Sequence, residues 1–149
     1  MNESLTDMAQ RAFIIETDDS LPWTVIRDAV AQAGFYTDAA GAEAWDLLVM
    51  PSSQFGTGDT IALSIPPAAG ANLPAVLVLA RSQMTPRWRE QLQERVREAA
   101  IKNAPGARVN ALVLPESCEG VRAEMLSPVI AYLARAAAVV GQVIALELP

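Results

Sequence analysis

The sequence predicts an α/β fold, with α+β as the neighbouring class. It reads as a single domain over residues 1–149, built on a mixed sheet of about five to six strands with two to three packed helices. Three observations predict it. Residues 74–114 read as strand, helix, strand, a βαβ crossover of the length that parallel neighbours require. Short apolar runs rich in branched residues recur at 12–15, 45–50 and 143–148. Segments of helical period, at 23–33 and 129–140, lie between such runs.

The elements follow in order. Residues 1–11 are polar and acidic and form an N-terminal arm or short helix, without the basic and apolar regions of a signal peptide. Residues 12–15 are a first strand. Thr17-Asp18-Asp19-Ser20 is a turn and N-cap cluster, and Pro22 sits in the first turn of a helix over 23–33. Ile26, Ala29, Val30 and Ala33 share one face of that helix, and Gly34 ends it, with Phe35 closing the cap. Residues 36–44 hold a short strand and turn. Residues 45–50 are a strand stopped by Pro51, 60–65 alternate as a strand with one wet face, and 66–73 form a Pro/Gly-rich exposed loop.

Residues 74–80 and 109–114 are the two strands of the crossover. Thr85 caps the helix between them, which runs from Pro86 to about Asn103. Its core face carries Trp88, Leu92, Val96, Ala99 and Ala100. Glu94 with Arg97 and Glu98 with Lys102 make favourable pairs on the wet face. Beyond an acidic loop at 116–120, residues 121–125 read as a helical turn. Ser127-Pro128 starts a helix over 129–140, Gly141 ends it, and 143–148 are a terminal strand. Arg135 near the middle of the apolar span 125–148 argues against a membrane helix.

Composition restricts the chemistry. The chain has no histidine, which excludes Ser-His-Asp triads, Cys-His pairs and the usual zinc sites. One cysteine, Cys118, leaves no intrachain disulfide and suits a reducing compartment. The expected location is the cytoplasm or a particle assembled inside the cell. Net charge is −6, distributed as −8 over residues 1–59, +4 over 81–108 and −2 over 109–149. Opposite patches of this kind steer self-association or a charged partner.

Each candidate site has a plainer reading beside it. Asp18, Asp19 and Asp46 have the chemistry to bind a cation or take a phosphoryl group at strand ends, but the reading preferred for them is a helix N-cap with favourable charge at the helix dipole. A receiver-type acidic pocket is rejected, because the segment between Gly34 and Trp45 is too short for the strand and helix it needs. Gly56-Thr57-Gly58 leads into a strand pattern, whereas a phosphate cradle leads into a helix. Cys118 lies between Glu116 and Glu119, which disfavour its thiolate. Ser52, Ser53 and Ser82 read as loop residues. The basic span 81–108 is interleaved with Glu90, Glu94 and Glu98 and reads as a solvated helix face, so no nucleic acid is expected.

The leading functional expectation is therefore a non-catalytic structural or interaction subunit of a larger assembly, such as a ring- or tube-forming viral neck or tail component. No cofactor or metal is expected. Partners would be proteins, as a homo-oligomer or a hetero-assembly, through Arg87, Arg95, Arg97, Lys102, Asp18, Asp19 and Asp59. The alternative is a small-ligand or nucleotide-binding module whose strand-end loops at 16–20, 51–59 and 115–120 converge on a crevice. A carboxylate-dependent enzyme using Asp18, Asp19 or Asp46 is the third reading.

Overall fold

The computed structural model of the chain describes residues 10–37, 45–55, 74–83, 85–103 and 106–147. The expected arm over 1–9, the strand at 60–65, the loop at 66–73, the Gly56/Gly58 turn and Asp59 lie outside them. The described elements are β1 (Gln10–Ile14), α1 (Trp23–Gln32), β2 (Phe35–Thr37), β3 (Leu47–Pro51), a 3₁₀ turn (Ser52–Phe55), β4 (Ala75–Arg81), α2 (Pro86–Asn103), β5 (Arg108–Leu114), α3 (Ala123–Arg135) and β6 (Val143–Ala145).

The six strands make one sheet in the order β2-β1-β3-β4-β5-β6, and every pairing is parallel. The α/β class, the strand and helix numbers and the 74–114 crossover match the expectation. The expected mixed sheet is not found: among the described strands every pair is parallel. Parallel strands covered on both faces need apolar residues at successive positions. The burial of β3, β4 and β5 shows why their sequences run as unbroken apolar stretches.

Alternation divides these strands between two cores. Leu47, Val49, Leu77, Leu79, Leu112 and Leu114 face α1 and α3. Leu48, Met50, Val76, Val78, Val109 and Val113 face the other way, toward α2, whose Leu92, Val96, Ala99 and Ala100 are buried against them. Trp88 packs half-buried at the edge of that cluster, and Trp45 is fully buried within it. Each such Leu or Val contributes about 1.5–3 kcal/mol by leaving water. On the wet face of α2 the Glu98–Lys102 bridge forms at 3.2 Å. The expected Glu94–Arg97 bridge does not.

The crossovers differ in hand. The β1-α1-β2 and β4-α2-β5 units run in opposite directions along the sheet with their helices on opposite faces, so they share one hand. The β5-α3-β6 unit runs in the same direction as β4-α2-β5, yet α3 lies on the face of α1. It therefore has the opposite hand, so the three units cannot all follow the right-handed rule. Two polar residues at the start of β5 hold this arrangement. Arg108, 5% exposed, donates to the carbonyls of Leu133 (3.2 Å), Ala134 and Ala136 (2.8 Å) at the end of α3. Asn110, 1% exposed, donates to the Val139 carbonyl at 2.9 Å and accepts from the Gln142 N–H at 2.9 Å.

Several boundaries differ from the sequence reading. Helix α3 begins at Ala123, so residues 121–128 are not a turn followed by a new start, and Pro128 lies inside the helix. Its missing N–H leaves the Glu124 carbonyl without its helical partner, and both residues are exposed, where water can serve that carbonyl. The helix stops at Arg135 instead of running to 140. Gly141, at φ 72°, shapes the approach to β6, and β6 spans only three residues. Gly34, at φ 96°, does follow α1 as expected. Pro22 is the N-cap of α1 and no side chain caps that helix, so the acidic cluster does not serve as its cap. Arg11, placed by the sequence in a helix or tail, is in β1.

Candidate functional site

In this sheet the strand order reverses between β1 and β3. The chain leaves β1 toward β2 on one side, and β3 is followed along the sheet by β4 on the other. Loops that part in this way leave a crevice beyond the carboxyl ends of the strands. A polar cavity of about 320 Å³ lies at that end. The β1–α1 turn brings Asp18 and Ser20 to it, and the residue after β3 brings Ser52. The end of β4 brings Arg81, Ser82 and Gln83, and the loop after β5 brings Glu116. The sequence expectation that loops near 16–20, 51–59 and 115–120 converge agrees with this lining.

Asp18 organises one wall. Its Oδ1 accepts the Ser20 N–H at 2.9 Å and the Ser20 hydroxyl at 2.6 Å, and the Ser53 hydroxyl reaches Oδ2 at 3.5 Å. The Ser20 hydroxyl, then its N–H, hold the Asp18 carboxyl below the usual carboxylate range, with Ser53 and the Arg81 charge adding to the effect. The Trp23 indole donates to the Asp18 carbonyl at 2.7 Å and ties this turn to the start of α1. Glu16 and Arg27 bridge at 2.9 Å beside it. The whole turn, residues 15–22, contains no glycine.

Arg81 faces this wall from the end of β4, where its register partner is Leu114. Its side chain is exposed and, among the described residues, makes no ion pair or hydrogen bond. Its charge also reaches Cys118. Burial pushes the Cys118 thiol up, and Arg81 partly offsets that. The thiol donates to the Pro115 carbonyl at 3.5 Å. Burial, and not the neighbouring glutamates, is thus the main reason that Cys118 resists ionisation.

The other candidates are dispersed. Asp46 precedes β3, at the amino end of the sheet. There its Oδ2 accepts the Arg11 N–H at 2.7 Å while its own N–H donates to the Arg11 carbonyl at 2.8 Å. A five-residue strand separates it from the crevice by roughly 16 Å. Asp46 and Asp18 therefore do not form one carboxylate site. Asp19 is an exposed turn residue. Arg87, Arg95, Arg97 and Lys102 are exposed along α2, on the opposite face of the sheet from α1, and Lys102 pairs with Glu98. Arg108 belongs to no solvated basic face, because it is buried under α3.

The sequence reading takes Ser52 and Ser82 as loop residues and places Arg81 in the basic span 81–108, so it finds none of the three as site residues. The available signal for Arg81 was its position as the last residue of an apolar strand, directly before two polar residues. A second hollow of about 450 Å³ lies at the other end, between α2 and the approach to β6, lined by Gln93, Arg97, Ala100, Ile101 and residues 140–143. It is larger, and its lining mixes the polar Gln93, Arg97 and Gln142 with aliphatic groups, but it lies away from the strand-end loops. Among the described residues no set of three cysteine, aspartate or glutamate side chains could hold a metal ion, and no described helix is long and apolar enough to cross a membrane.

A search of curated proteins finds none that matches the chain. A family model does match it: that of SDR-like, short chain dehydrogenase-like protein, over residues 49–146. The matched stretch runs from β3 through β6 and so includes the crossover, the Arg81 wall of the crevice and α3. This finding overturns the leading functional expectation, that of a structural subunit of a viral or other assembly. That expectation rests on the absence of catalytic constellations, the uneven charge along the chain and the Pro-rich excursions, none of which speaks against a ligand-binding α/β sheet. The match covers about two-thirds of the sequence, and the chain belongs to the SDR-like family.

Proposed function

We propose that this chain is a small-ligand-binding α/β module whose ligand sits in the crevice at the carboxyl ends of β1, β3, β4 and β5. One observation carries this reading. Polar side chains from four separate strand-end loops converge on one cavity at the place where the strand order reverses. Membership of a dehydrogenase-like family supports it.

That family name implies a nicotinamide dinucleotide, and the residues present do not fit one. A dinucleotide cradle needs a glycine-rich turn after the first strand, so that backbone N–H groups can approach the pyrophosphate at a helix N-terminus. Here the turn has no glycine, Pro22 occupies the N-cap, and the ionised Asp18 carboxylate already takes the Ser20 N–H. No hydride-transfer step is assigned to the chain.

A thermal-shift screen with nucleotides, flavins, small organic and amino acids, and divalent ions tests the proposal. A true ligand at one hundred times its Kd adds about 2.7 kcal/mol to stability and raises Tm accordingly. The rise should shrink in Arg81→Gln. No rise from any compound, or a rise indifferent to Arg81→Gln, would refute the site.

A further inference from the structure

Resting on the crevice reading above, we infer that the ligand is a small amino-carboxylate zwitterion, with its carboxylate on Arg81 and its ammonium group toward Asp18 and Glu116. The inference comes from the charges that meet there. Among the described residues Arg81 is the only cation lining the cavity, and Asp18 and Glu116 are the two anions, so the described lining carries a net charge of −1. Arg81 has no ion-pair partner among the described residues, which leaves its planar fork of donors open to a carboxylate.

The two carboxylates decide what else the ligand must carry. They accept hydrogen bonds and donate none when ionised. Ser20 keeps Asp18 ionised by donating to it through both its hydroxyl and its N–H. A phosphate or pyrophosphate brought to Arg81 would add two negative charges to a site already negative, and like charges within a few ångströms repel. A zwitterion adds none. It places one group of each sign against the protein group of opposite sign. The hydroxyls of Ser52 and Ser82 and the Gln83 amide supply neutral donors and acceptors for the remainder. A cavity of about 320 Å³ is at the small end of ligand pockets, and suits a compact molecule.

The test is titration calorimetry of the full chain at pH 7 against four sets of compounds. These are the common amino acids, the matching hydroxy acids, the matching decarboxylated amines, and the oxidised and reduced nicotinamide dinucleotides. At least one amino acid should bind. Replacing its ammonium by hydroxyl, or removing its carboxylate, should weaken binding at least tenfold. Arg81→Gln and Asp18→Asn should each weaken it at least tenfold, with urea midpoints showing that both variants are folded and Arg81→Lys retaining part of the affinity. A hydroxy acid, amine or dinucleotide that binds as tightly as the best amino acid, and depends on Arg81, would overturn the zwitterion and leave the crevice as a ligand site. Binding by none of the four sets would overturn the zwitterion, and the absence of any response in the wider thermal-shift screen would overturn the crevice as well.

Discussion

Arg108 and Asn110 stand two residues apart on the same face of β5, and between them hold the backbone of residues 133–142. Arg108 takes the carbonyls at the end of α3, and Asn110 takes the loop that follows. The next two positions on that face, Leu112 and Leu114, are ordinary core residues. One strand face thus changes from polar fastening to apolar packing along its length. Replacing Arg108 by Met keeps the bulk but leaves three carbonyls without their charged donor. The expected loss is about 2–4 kcal/mol, read as a lower urea midpoint with an unchanged m value. Arg108→Lys should recover only part of it, since one ammonium cannot reproduce the guanidinium fork.

Gly34 and Gly141 both have positive φ, at 96° and 72°, but they should not respond equally to alanine. A Cβ on Gly141 would meet the Ala100 Cβ at 3.6 Å, an ordinary contact, so Gly141→Ala should cost about 1–2 kcal/mol of backbone strain alone. A Cβ on Gly34 would meet the Arg135 guanidinium at 3.1 Å. That group donates to the Ala33 carbonyl at 2.7 Å and lies 4.5 Å from the centre of the Phe35 ring. Gly34→Ala should therefore cost more than Gly141→Ala in a side-by-side thermal melt.

Asp18 gives stability a specific pH dependence. Its pKa is lower when folded than when unfolded, so the folded state gains from its ionisation. That gain is fully present above the unfolded value of about 3.9 and is lost as pH falls through the lowered folded value. Because the group is partly exposed, the gain should stay below about 1 kcal/mol. Asp18→Asn should lower the urea midpoint at pH 7, with the difference from wild type closing in strong acid. A difference that widened toward low pH would contradict the sign.

The Cys118 thiol should alkylate more slowly with iodoacetamide at pH 7.5 than the same cysteine in the urea-unfolded chain, because burial raises its pKa. Arg81→Gln should slow it further, since the Arg81 charge is what favours the thiolate. An unchanged rate in that variant would show that the Arg81 charge does not act on the sulfur.

The legible parts of this fold are those written in local periodicity. Leu92, Val96 and Ala99 recur at helical spacing, and two unbroken apolar runs flank them, so β4-α2-β5 can be read directly. Gly34 is legible because only a residue without Cβ suits the turn after α1. Residues whose partners lie far along the chain leave no such trace. Arg108 looks like one more charge in a basic span, although its partners are 25 to 28 positions away. Pro128 looks like a helix start because a missing N–H is free of cost there, while an exposed helix face tolerates it almost as well. The crevice was half legible. Its loops follow from the strand ends, but the choice of Arg81 over the arginines of α2 depends on where a strand stops.

The reversed hand of the last crossover has a consequence for synthesis. Helix α3 settles beside α1, over strands made from the earlier part of the chain, including β4. While a ribosome is still adding residues 115–135, Leu47, Val49, Leu77 and Leu79 lack the cover of Leu126, Ile130 and Leu133. Completion of that layer must wait for the last helix to emerge. A nascent chain halted near residue 115 would present a greasy, half-roofed sheet, the kind of surface that chaperones shield.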